Sequence, residues 1–227
     1  MRRFLMVLLP ALLTAGTLAA APAPAAAVPP PTPVIFVHGR NAGPEVWDAM
    51  VDGFLAAGYP SDRLYAWAYD TSRSTNEVLA GQFADRVETV LARTKAGRVD
   101  VVTHSLGGLP TRWYLAFGAG GGKVSRWASL GGPNHGTRLA YLCALRDQGC
   151  RDMTPGSYVL SRLNAGDETP GPVRYATWWS PCDEQIAPVE STALEGAANT
   201  RTGACLTHND LLTDGEVFRQ VRAFLRS

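Results

Sequence analysis

The sequence predicts an α/β fold, a mainly parallel β-sheet with helices on both faces. Two observations carry that expectation. Short, wholly apolar runs of the kind buried on both sides of a sheet alternate with segments of helical period. The residue types that do chemistry then fall directly after those runs, where a parallel sheet collects its functional groups.

The elements follow in order. Val34-Ile35-Phe36-Val37 reads as the first strand and runs into His38-Gly39, and Leu64 to Tyr69 reads as a second. Ser74-Thr75-Asn76-Glu77 has the form of a capping box. The helix it opens puts Leu79, Phe83, Val87 and Val90 on one face and is expected to stop at Gly97. Val99-Asp100-Val101-Val102 is a third strand, leading into Thr103-His104-Ser105-Leu106-Gly107-Gly108, after which Leu109 to Phe117 reads as helix. A glycine-rich break, 118–122, precedes two further strands, Val124 to Leu130 and Val173 to Trp179. Glu216 to Leu225 closes the chain as a helix with Val217, Val221, Phe224 and Leu225 facing inward. The stretch from Gly131 to Pro172 is irregular, with two cysteines and several glycines and prolines.

Ahead of these elements, Met1-Arg2-Arg3, the apolar run from Phe4 to Leu13 and the small residues around Ala25-Ala26-Ala27 read as a secretory leader over residues 1–27. A Pro-rich linker, 28–33, and one catalytic domain, 34–227, follow. No later segment is apolar enough to span a membrane, so an exported, extracellular, monomeric protein is expected. The 227 residues carry 21 basic and 20 acidic side chains, a formal charge of +1 that moves to about −1 once the leader is removed. That balance leaves no electrostatic footprint for nucleic acid or for an anionic membrane. All basic residues but Lys95 and Lys123 are arginine, which suggests a GC-rich genome rather than a binding surface.

Four cysteines, Cys143, Cys150, Cys182 and Cys205, lack the pairwise spacing of a zinc site, and no metal is expected. In an oxidising compartment they form two disulfides with three possible connectivities. Cys143–Cys150 and Cys182–Cys205 are favoured, because the second pair would tie together two loops that matter below.

Thr103-His104-Ser105-Leu106-Gly107 has the strand–turn–helix context of a nucleophile elbow, with threonine in the position where glycine is usual. Of the four histidines, His38 and His104 adjoin the turns that would present the oxyanion donors and the nucleophile, and His135 follows the fourth strand. His208 alone lies after every strand read here and is the expected base, with His135 the competitor. The orienting acid should lie between Ser105 and His208. Asp183, directly after a strand, is preferred to Glu184, Asp147, Asp152 and Asp167, while Asp210 and Asp214 follow the histidine. Backbone N–H groups of Arg40 and Leu106 are expected to form an oxyanion hole, with the Arg40 guanidinium pointing to solvent. Trp178-Trp179, beside the acid, would either flank an acyl groove or pack in the core.

Taken in order, Val37-His38-Gly39, the Thr103 to Gly108 elbow, Gly131-Gly132-Pro133-Asn134-His135-Gly136-Thr137, Asp183 and His208 resemble the small secreted bacterial lipases of the α/β-hydrolase superfamily. The likeness is to the class 2 triacylglycerol lipase group and runs from about Pro33 to Leu225. It implies a minimal α/β-hydrolase core of about six strands, Ser105, Asp183 and His208 as the triad, and no cofactor. It also implies an ester or lipid substrate, most simply an acylglycerol met at a lipid–water interface. The alternatives are an extracellular esterase for polyhydroxyalkanoate or cutin-like polyesters, and a secreted binding protein that keeps the fold without the chemistry. Thr103 departs from the group's usual residue, and the Cys143–Cys150 loop is not matched to it.

Overall fold

The computed structural model describes residues 30–72 and 74–227; the leader expected over 1–27 lies outside them. Six strands, β1 (Val34–Val37), β2 (Leu64–Trp67), β3 (Val99–His104), β4 (Val124–Leu130), β5 (Arg174–Trp179) and β6 (Ala198–Arg201), form one sheet in the order β2-β1-β3-β4-β5-β6. Every neighbouring pair is parallel, as the apolar character of the central runs requires.

Strand periodicity sorts the core into two layers. Ile35, Val37, Val101, Trp127 and Tyr175 point to one face, covered by α2 (Asn76–Thr94) and α3 (Gly108–Phe117) through Phe83, Val87, Val90 and Tyr114. Val34, Phe36, Val102, Ala128 and Trp178 point to the other, covered by α1 (Asp48–Ala56) and α6 (Gly215–Phe224) through Met50, Phe54, Val217 and Val221. Each fully buried side chain of this size contributes about 1.5–3 kcal/mol relative to exposure.

Above the carboxyl edge of the sheet, α4 (Gln148–Met153) and α5 (Tyr158–Leu163) cap a third cluster built on Leu106 and Leu109. Buried Arg112 anchors this irregular stretch to α3 by donating to the Asn134 and Leu163 carbonyls and to Asn164 Oδ1 at 3.2, 3.3 and 3.0 Å. Burial lowers its pKa to about 10, so it stays charged at neutral pH.

Several boundaries differ from the sequence reading. The capping box does not form: Thr75 is the N-cap of α2 and makes no side-chain cap. Helix α2 ends at Thr94, where Lys95 takes the left-handed conformation (φ 57°) and its N–H closes on Leu91 O, so Gly97 is not the stop. Strand β2 ends at Trp67, leaving Tyr69 free to stack on the Trp67 ring at 4.2 Å. Neither α1 nor β6 was read from the residues; β6, Ala-Asn-Thr-Arg, is a polar, largely exposed edge strand without the apolar run that marks the others.

Candidate active site

Strand β3 delivers Ser105 into a turn with φ 53°, a conformation costly for a residue with a Cβ and one that presents its hydroxyl at the head of the following helix. The turn sits hard against the end of β1. A Cβ on Gly107 would lie 2.6 Å from His38 O, and one on Gly39 would lie 2.8 Å from Ser105 Cβ. Thr103 fits because its hydroxyl donates across the sheet to Ala128 O at 3.1 Å, which satisfies a polar group that is fully buried.

Asp183 follows β5 and is fixed before it meets its partner. Its Oδ1 accepts from the backbone N–H groups of Gln185 and Ile186 at 2.9 and 3.0 Å, leaving Oδ2 to accept from His208 Nδ1–H at 2.8 Å. Both side chains are almost wholly shielded from solvent. Because the carboxylate can only accept, a neutral imidazole here carries its proton on Nδ1 and leaves the lone pair on Nε2. That Nε2 is buried and makes no hydrogen bond to another described residue. The Cys182–Cys205 disulfide, with Cα atoms 5.1 Å apart, joins the loop of Asp183 to that of His208. Buried Ser180 reinforces the join, its Oγ accepting from the N–H groups of Cys182 and Leu206 at 3.1 and 2.9 Å.

Ser105 and His208 line one cleft of about 750 Å³, together with Gly39, Arg40, Leu139 and Ile186. Arg40, in the loop after β1, lines this cleft, and Leu106 follows the serine at the start of the elbow helix. The guanidinium of Arg40 does not point to solvent. It donates to Asp147 Oδ2 at 3.0 Å, an ion pair between the loop after β1 and the loop closed by the Cys143–Cys150 disulfide. The same Asp147 accepts from Cys150 N–H at 2.9 Å through Oδ1 and so caps α4.

The competing residues are employed elsewhere. His135 is half-exposed and bonded to Glu168 at 2.7 Å, and Glu184 accepts the backbone N–H of His208 at 3.0 Å. Asp152 accepts from Gln148, Asp167 holds a turn at Thr169, and Asp210 and Asp214 cap local structure. Trp178 packs in the core against Phe224 and donates to Gln220, and neither Trp178 nor Trp179 lines the cleft.

Three contributors were not read from the sequence. His104 Nε2–H donates to the backbone carbonyl of His208 at 3.1 Å, with the two rings 4.5 Å apart. Burial, and then the neighbouring His208, lower the pKa of His104 to about 3, so it remains a neutral donor. Tyr69 O–H donates to His38 O at 2.6 Å and steadies the loop after β1. Gly131, at the end of β4 with φ 55°, passes so close to the acid–base pair that a Cβ there would lie 3.1 Å from both Asp183 Oδ2 and His208 Cε1. Its place directly after a strand was the available signal.

The fold is shared with lipases of solved structure. Aspergillus fumigatus lipase B superposes with a TM-score of 0.74 at 19% identity, over 87% of this chain and 53% of that one. The mature form of Bacillus licheniformis lipase BlEst2 superposes with a TM-score of 0.73 at 17% identity, over 87% of this chain and 93% of that one. The chain thus spans about half the length of the fungal lipase and nearly all of the bacterial one. The profile of the family described as Lipase (class 2) matches residues 31–216. With its all-parallel six-stranded sheet and its Ser105 elbow, the chain belongs to the class 2 lipase family.

Proposed function

We propose that the protein is a secreted carboxylic ester hydrolase acting on acylglycerols through an acyl-enzyme. Membership of the class 2 lipase family supports the coarser statement, a lipolytic ester hydrolase with a lipid or ester substrate. The observation that carries the finer one is the buried Asp183–His208 pair at 2.8 Å, opening on the same cleft as a serine held at φ 53°.

In this reading Ser105 Oγ attacks the ester carbonyl while His208 Nε2 takes its proton. The N–H groups of Arg40 and Leu106 receive the developing oxyanion, and His208 passes the proton to the departing alcohol. A water activated by the same Nε2 then attacks the acyl-serine, its proton returns through His208 to Ser105 Oγ, and the fatty acid leaves. Asp183 holds the imidazole tautomer and stabilises the imidazolium without itself taking the proton.

Two disulfides support an oxidising destination, and among the described residues no helix is long and apolar enough to cross a membrane. Together with the leader pattern over 1–27, they support export of a single catalytic domain, 34–227. Replacing Ser105 with alanine should reduce turnover of p-nitrophenyl esters by at least about 10⁴-fold with the fold intact. Activity retained in that variant would overturn the assignment.

A further inference from the structure

Of the eight large apolar side chains left exposed among the described residues, four fall within seven positions: Leu139, Tyr141, Leu142 and Leu145. Leu142 and Leu145 are the extreme cases, 86% and 96% exposed. They do not hang on a loose loop. The Cys143–Cys150 disulfide closes it, and the N–H groups of Ala144, Arg146 and Asp147 bond back to the Ala140 and Cys143 carbonyls at 3.0 to 3.1 Å. The leucines are therefore held outward with no means of folding under. A concentrated apolar patch of this kind marks an interaction surface rather than ordinary surface scatter.

Two further observations identify what it meets. Leu139, Ala140 and Cys143, from the same loop, line the cleft that holds Ser105, so whatever covers the leucines lies at the mouth of that cleft. Charge supplies the second. Although the chain as a whole is near neutral, Arg138, Arg146 and Arg151 are exposed and neighbour the leucines in sequence, whereas the one acid within residues 138–151, Asp147, is occupied by Arg40 and by the α4 cap. Arg151 is held against the loop by donating to Ala144 O at 3.0 Å. Exposed leucines on a loop that also carries exposed arginines match a layer of acyl chains beneath anionic headgroups.

We infer that the Cys143–Cys150 loop docks the protein on an anionic lipid surface, with Leu142 and Leu145 inserted and the arginines at headgroup level, which brings the cleft mouth against the lipid. The substrate side of this inference rests on the hydrolase reading above; the docking itself does not.

Co-sedimentation of the Ser105→Ala protein with phosphatidylglycerol and phosphatidylcholine vesicles separates binding from hydrolysis. Binding should favour phosphatidylglycerol, weaken with added salt, and fall about fivefold with Arg146→Ser. Leu142→Ser/Leu145→Ser, in the otherwise active chain, should weaken vesicle binding at least about tenfold while p-nitrophenyl acetate turnover is kept. As an independent readout, Leu145→Trp should add an emission that shifts to the blue on phosphatidylglycerol vesicles. Undiminished binding by the double serine variant, equal binding to both lipids, or no shift at position 145 would each overturn the inference. So would a wild-type dimer in solution that the serine variant disperses, since the patch would then pair with a second copy. Vesicle binding with no ester turnover in the wild type would instead count against the hydrolase reading and leave the docking intact.

Discussion

At the scale of single residues, the site divides its labour between groups that are positioned and groups that position them. Asp183 spends one carboxylate oxygen on the backbone of its own loop and the other on His208, so it orients the imidazole from a fixed base. Asp183→Asn keeps an acceptor for Gln185 and Ile186 but turns an amide N–H toward Nδ1, which forces the wrong tautomer. A fall in kcat of about 10⁴-fold with an unchanged melting temperature is expected, and steady-state kinetics beside a thermal melt checks it. His104 carries a different consequence. Its pKa in the folded protein, about 3, lies below its ordinary 6.5 because of burial and then the neighbouring His208. The unfolded chain therefore binds more protons between those values, so this residue's contribution to stability is full above about pH 6.5 and is lost as pH falls toward 3. His104→Gln keeps a donor for the His208 carbonyl and cannot titrate. Its stability should decline less steeply than wild type between about pH 7 and about pH 4, by up to roughly 1.4 kcal/mol per pH unit. Equal slopes in denaturant melts would contradict that role. Of these residues, Ser105 and Asp183 were expected from the sequence because each follows an apolar run at the sheet's carboxyl edge, and His208 because it alone lies after every strand read there. The place of His104 beneath His208 was not legible, since it depends on a fold that brings positions 104 residues apart into contact.

At the scale of elements, the loop after β1 and the disulfide loop before α4 work as a unit. Asp147 joins them, and a Cβ on Gly149 would lie 2.8 Å from Leu106 Cδ2, so the same segment rests against both residues whose N–H groups face the oxyanion in the proposed mechanism. Asp147→Asn should keep the α4 cap through its remaining carbonyl oxygen and lose the ion pair with Arg40. Because catalysis is sensitive to small displacements, kcat should fall about tenfold with little change in KM, and an unaltered kcat would separate Asp147 from the site. The strands at the centre of the sheet were legible from their apolar runs, β4 to its end residues. Strand β6 was not, because an edge strand exposed on one side needs no apolar sequence. Helix α2 was misjudged at both ends for a related reason: its caps are set by backbone bonds, Leu79 N–H to Thr75 O and Lys95 N–H to Leu91 O, rather than by the side chains that signal caps in a sequence.

At the scale of the whole molecule, a parallel sheet with two helices on each face leaves its chemistry on a single edge. Loops after β1, β3, β4, β5 and β6 converge there, and the Cys182–Cys205 disulfide fixes the last two against each other. That convergence explains how residues from 39 to 213 in the chain come to surround one cleft. It also explains why the order of motifs, more than any one of them, pointed to the fold. The irregular segment 131–172 resisted that reading because its conformation is set by buried Arg112 and by a disulfide rather than by periodicity. In the proposed mechanism this edge holds a serine activated by His208. A fluorophosphonate probe, which reacts only with such a serine, tests it most directly when labelling is followed by peptide mapping. Stoichiometric label on Ser105 is expected, and it should be lost in the His208→Ala variant. No label, or label on another residue, would contradict it.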